Sequence, residues 1–155
     1  MGYTTDFRGE FRLNRELTDD DYNFLVKFSQ TRRMARNVGP EYGIEGEYYV
    51  DGGGFRGQGK DLTVIDHNRP PKTQPSLWCQ WIPSEDKKSI VWDQGEKFYD
   101  YVDWLQYLVN WLAPRGYILT GNVEWQGEDF SDRGLIVVTD NNIVTKEGRA
   151  FYDDI

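Results

Sequence analysis

One cysteine, one histidine and two methionines among 155 residues leave few routes to reactive chemistry. A lone Cys79 excludes an internal disulfide and any zinc site built on several cysteines. No stretch of 18 apolar residues occurs, so no membrane-spanning helix is expected. The opening Met1-Gly2-Tyr3-Thr4-Thr5-Asp6 lacks the basic and apolar regions of a signal peptide, and the expectation is a soluble, cytoplasmic protein without membrane contact. Positive charge is also short, with 18 Lys plus Arg against 26 Asp plus Glu and a net charge of −8. That balance argues against direct nucleic-acid binding. The deficit is uneven: residues 1–36 carry seven basic and six acidic side chains, so the acidity belongs to the remainder. What the chain has in quantity is rings: six Trp, ten Tyr and eight Phe. Rings favour packing, and the length suits one domain spanning 1–155, with disorder expected only in the last few residues.

Phe7, Gly9, Phe11 and Leu13 alternate with Arg8, Glu10 and Arg12, the period of a strand with one wet face. Thr18 followed by three aspartates reads as the start of a helix ending near Arg36, with Arg32, Arg33 and Arg36 placed to complement its dipole. Residues 37–75 show no helical period; Gly-rich and Pro-rich, they read as a long loop with short strands at Glu47–Val50 and Leu62–Ile65, and as a candidate binding loop. Leu77–Ile82 and Ser89–Trp92 read as a hairpin. Phe98, Tyr101, Val102, Leu105, Leu108, Val109 and Leu112 form the apolar stripe of a second helix that Pro114 and Gly116 end. Tyr117–Trp125, Leu135–Val138 and Ile143–Thr145 complete the strands. The order predicts an α+β domain, an antiparallel sheet with two helices packed on one face. A ferredoxin-like core (β-α-β-β-α-β) with a C-terminal hairpin is the specific expectation.

The stretch from Asp51 to Lys60 matches G-x-G-x-x-G through Gly52, Gly54 and Gly57, and the start of a phosphate loop through Gly54, Gly59 and Lys60. Both need a helix to open directly afterwards, whereas Asp61-Leu62-Thr63-Val64 is strand-like, so neither motif is assigned. Arg56, Lys60, Arg69 and Lys72 remain a small cationic group that glycine amides could turn into an anion nest, with ordinary loop charge as the alternative. His67 between Asp66 and Asn68 has no nucleophile to serve. Cys79 between Trp78 and Trp81 reads as a buried thiol. The carboxylates fit no calcium-loop spacing. No catalytic residue, metal site or cofactor is therefore assigned.

Beside its apolar stripe the second helix carries Trp104, Tyr107 and Trp111 as a further aromatic line, either covered by residues 37–75 or exposed to a partner. Two functional expectations follow. The first is a non-enzymatic binding protein that presents this acidic, aromatic surface and the 37–75 loop to a protein partner. The second is a pocket for a nucleotide-like small molecule, with Gly54, Arg56, Lys60 and Arg69 toward its phosphates and Tyr48, Trp78 or Trp81 stacked on its base.

Tyr48-Tyr49-Val50, Asn68-Arg69-Pro70-Pro71, Leu77-Trp78-Cys79-Gln80-Trp81, Gly95 to Tyr101, Leu112-Ala113-Pro114 and Val123 to Asp129 together resemble an uncharacterised family of bacteria and their phages, known only as a domain of unknown function. The resemblance spans nearly the whole chain and brings no activity, ligand or catalytic residue with it. It implies a phage or mobile-element setting, in which a small acidic protein could inhibit a host protein.

Overall fold

The computed structural model describes residues 2–50 and 62–148. The glycine stretch with Gly54, Arg56 and Lys60, and the last residues where disorder was expected, lie outside them. The chain folds as an α+β domain. Its strands are β1 (Thr5–Leu13), β2 (Ala35–Arg36), β3 (Val64–Asp66), β4 (Trp81–Pro83), β5 (Ser89–Trp92), β6 (Leu119–Gly127), β7 (Arg133–Thr139) and β8 (Asn142–Glu147), and its helices are α1 (Asp19–Gln30) and α2 (Tyr101–Leu112). Six strands form one sheet in the order β4-β5-β1-β6-β7-β8, every neighbouring pair antiparallel, while β2 and β3 pair separately. Within it β4-β5-β1-β6 is the order that two interleaved β-α-β units generate, and β7 and β8 extend it as a meander.

Alternation in β1 and β6 sorts the two faces. Phe7, Phe11, Val123 and Trp125 are buried, whereas Asp6, Arg8, Glu10, Arg12, Glu124 and Gln126 point to the opposite side and are exposed. Phe7 meets the rings of Trp81, Trp92, Phe98 and Tyr101 edge-on at 5.0–5.8 Å. Above this layer α1 and α2 pack on each other, with Phe24 stacked on Trp111 at 5.1 Å and Phe28 edge-on to Trp104 at 5.8 Å. Both helices thus lie on the inner face. Thr139 pairs with Asn142 across a two-residue turn in which Asp140 and Asn141 adopt φ of 48° and 71°, left-handed values those residue types tolerate.

Three elements depart from the sequence-based reading. α1 stops at Gln30, because Thr31 turns extended and Arg33, Ala35 and Asn37 donate backbone bonds to Leu77, Arg69 and Thr63; tertiary pairing outweighs the helical charge pattern. Glu47–Val50 is no strand but follows a pair of 3₁₀ turns, Pro40–Tyr42 and Ile44–Gly46. β4 is only Trp81–Pro83, since Leu77–Gln80 serves as a strap whose carbonyls accept from Arg33 and Asp93.

Candidate functional site

The aromatic line on α2 does not form a surface. Trp104 is 0% and Trp111 8% exposed, Tyr107 is half-buried and Trp81 is 2% exposed. The alternative of covered rings holds, with two covers: Phe24 and Phe28 of α1 over Trp111 and Trp104, and a shoulder that includes Glu47 and Thr73–Ser76 beside Trp104 and Tyr107. Trp104 Nε1 donates to Ser76 Oγ at 2.8 Å, and Arg115 lies over the Trp111 ring at 3.8 Å. The expectation of an exposed line fails because it assigned α2 to the sheet alone and left out α1 as its second neighbour.

The shoulder is held by buried polar groups that residue spacing does not reveal. Glu47, 7% exposed, accepts from Tyr107 Oη at 2.7 Å, Thr73 Oγ1 at 3.1 Å and the Ile44 N–H at 3.0 Å. Gln74 Nε2 donates to the Glu47 carbonyl at 2.7 Å and to Tyr107 Oη at 3.0 Å. Burial and the Glu47 carboxylate push the Tyr107 hydroxyl well above its ordinary range. Arg33, 1% exposed, donates to the Tyr49 and Phe28 carbonyls and lies over the Phe28 ring at 4.3 Å. Desolvation lowers it to about 10. Arg36, also buried, covers the Tyr49 ring at 4.1 Å and donates to Thr63 Oγ1. Of the arginines read as helix-end charges, Arg33 and Arg36 are thus interior, held by Tyr49, Phe28 and Thr63.

Of the residues assigned to a nucleotide-like ligand, Arg69 is engaged by Glu45 through two bonds of 2.9 and 3.1 Å. Arg69 and the Lys72 N–H in turn hold the Glu45 carboxyl down at about 2. Trp81 is spent in the core, its Nε1 donating to the Tyr101 carbonyl. Trp78 is half-buried and Tyr48 is 39% exposed. Asp66 accepts from the Asn68 N–H at 2.9 Å, and the buried His67 Nδ1 has no hydrogen-bond partner among the described residues, so the two make no acid–imidazole pair. Cys79 is fully buried and its thiol is pushed up to about 12 by desolvation. Among the described residues no group of three or more His, Cys, Asp or Glu could hold a metal, and no helix is long and apolar enough to cross a membrane.

The open geometry lies on the other side of the sheet. β1 pairs with β6 over its whole length, from Thr5–Gly127 to Leu13–Leu119, but with β5 only at Phe11–Ile90 and Arg12–Ser89. β1 bends at Gly9, whose φ of +114° favours glycine and where a Cβ would sit 2.4 Å from the Asn122 carbonyl. Beyond this bend a cleft of about 560 Å³ opens, lined by Asp6, Phe7, Arg8, Trp92, Gln94, Glu124, Trp125, Gln126, Arg133, Gly134 and Gly148. A second cleft of about 460 Å³ lies farther along the same strand, among Glu10, Arg12, Arg15, Glu16, Asp86 and Lys88. Both mix acids with bases. The wet-face alternation of Arg8, Glu10 and Arg12 was legible in the sequence; the parting of β5 from β1 that makes the first cleft was not. No protein-family model, no curated protein and no solved structure matches the chain.

Proposed function

We propose that the chain is a non-enzymatic binding protein whose bare sheet face docks a protein partner. The observation that carries this reading is the one-sided architecture: both helices cover the inner face, while the outer side chains of β1 and β6 remain exposed around the cleft. Asp6 and Glu124 beside Arg8 and Arg133 suit a partner with both charges and disfavour a polyanion such as nucleic acid. The likeness to a bacterial and phage family supplies a setting, with the partner a host protein in the cytoplasm and inhibition the outcome of docking. Capture from bacterial lysate by the immobilised full chain tests it. The charge swap Arg8→Glu with Glu124→Lys should abolish recovery of a specific partner, and Asp103→Asn with Gln106→Ala on exposed α2 positions should leave it intact. Recovery unaffected by the swap would refute the outer face as the docking surface. The nucleotide reading keeps Tyr48 as its exposed ring, and nucleotides at millimolar concentration are expected to leave the melting temperature unchanged. A shift of several degrees would revive it.

A further inference from the structure

The outer face of the sheet is complementary to itself. Along β1 its exposed side chains run Asp6, Arg8, Glu10, Arg12, acid and base by turns at every second residue. Their charges sum to zero in a chain of net charge −8, so this row is a place where two acidic chains can approach. Read from the other end, the row is base, acid, base, acid. A two-fold axis lying along the outer face, perpendicular to the strands and level with Gly9, sets Asp6 opposite Arg12 and Arg8 opposite Glu10 of a second copy, each pair made twice by the symmetry. Shifted by one residue to the level of Arg8 or of Glu10, the same axis sets like charges on each other, so the charges select one register. The ladder carries the level of Gly9 across the sheet to Val123 on β6 and Ile136 on β7. On either side of it Glu124 meets the amide of Asn122, and Leu135 meets Val137, half-buried apolar side chains that α1 and α2, on the inner face, do not cover. Facing sheets pack about 10 Å apart, a gap that opposed Arg and Glu side chains bridge. Asp6, Arg8, Arg12 and Glu124 take part in no ion pair among the described residues, so none has to be broken. Glu10 accepts from Ser89 Oγ, which fixes its carboxylate. We propose that two copies of the chain pack outer face to outer face about this axis as a homodimer. The dimer occupies the surface assigned above to another protein, so that a partner has to displace the second copy. Its formation needs no other protein, and it can fail while the proposed function stands.

Sedimentation equilibrium of the purified full chain tests it, with substitutions at exposed positions that leave the core untouched. The native chain should show a concentration-dependent equilibrium between monomer and dimer. Arg8→Glu places like charges at both central pairs, and so does Glu10→Arg, so each alone should weaken dimerisation by about tenfold or more. Mixed in equal amounts, the two variants bring a wholly acidic centre against a wholly basic one and should form a heterodimer at least as tight as the native homodimer. Both substitutions in one chain exchange the signs and should restore the homodimer. Asp6→Arg mixed with Arg12→Glu makes the same test at the outer pairs, should either central variant fail to match the native thermal melt. A native chain that stays monomeric up to millimolar concentration, a dimer that neither single reversal weakens, or mixed variants that stay monomeric overturns the proposal.

Discussion

At the residue scale, the segment around Glu47 and Gln74 depends on buried polar side chains joined in a hydrogen-bonded network centred on the Glu47 carboxylate. Glu47→Ala would strip three donors of their acceptor at once and should lower the unfolding free energy by about 3 kcal/mol in urea titrations. Glu47→Gln keeps an acceptor oxygen and should cost about 1 kcal/mol; equal losses would show that the network does not carry the stability. Arg33 sits interior without a carboxylate partner among the described residues, its forked guanidinium shared between two carbonyls and a ring. Arg33→Lys keeps the charge but loses the fork, and is expected to be less stable than Arg33→Met by about 2 kcal/mol. The reverse order in denaturant midpoints would contradict this placement. Glu45 gives a pH signature. Its folded carboxyl is depressed to about 2 from an ordinary 4.5 by Arg69 and the Lys72 amide, so its stabilisation is complete above about 4.5 and is lost as the pH falls toward 2. A carboxyl titration by NMR should find that low midpoint, and Arg69→Ala should return it toward 4.5.

At the element scale, helix starts test how local chemistry and packing divide the work. Thr18 caps α1 by accepting the Asp21 N–H at 3.2 Å, and Thr18→Ala should cost about 1 kcal/mol. α2 begins instead from Asp100 in a left-handed conformation with φ of 57° and no side-chain cap bond. Asp100→Gly removes the Cβ strain and is expected to stabilise by about 1 kcal/mol in thermal or urea unfolding; a loss of stability would mean that the aspartate contributes more than the strain it imposes. The sequence showed the Thr18 cap, the apolar stripe of α2 and the meander β6-β7-β8 plainly, because each is specified by neighbours within a few positions. The end of α1 and the shape of residues 37–50 were hidden. Arg32, Arg33 and Arg36 resemble a helix terminus by local charge, and only partners 16 to 35 residues away, Tyr49, Thr63 and His67, reveal what they hold.

At the scale of the molecule, the ring surplus and the acidity resolve into different places. Trp81, Trp104, Trp111 and Trp125 are interior, so the abundance of rings reports a core shared by a sheet and two helices rather than a binding surface. The face left open is charged, with Asp6, Arg8, Glu124 and Arg133 lining its cleft. The alternating wet positions of β1 marked that face in the sequence. Its role as the open side depended on both helices choosing the other, which no single segment encodes. Carboxyl footprinting of the complex with a captured partner tests the central claim most directly, since accessible acids lie on both faces: Asp6, Glu10 and Glu124 outside the sheet, Asp20 and Asp103 on the helices. The sheet-face docking account predicts that saturating partner slows carbodiimide labelling of the first three severalfold and leaves Asp20 and Asp103 unchanged. Protection of Asp20 and Asp103 with Asp6, Glu10 and Glu124 still open would contradict it.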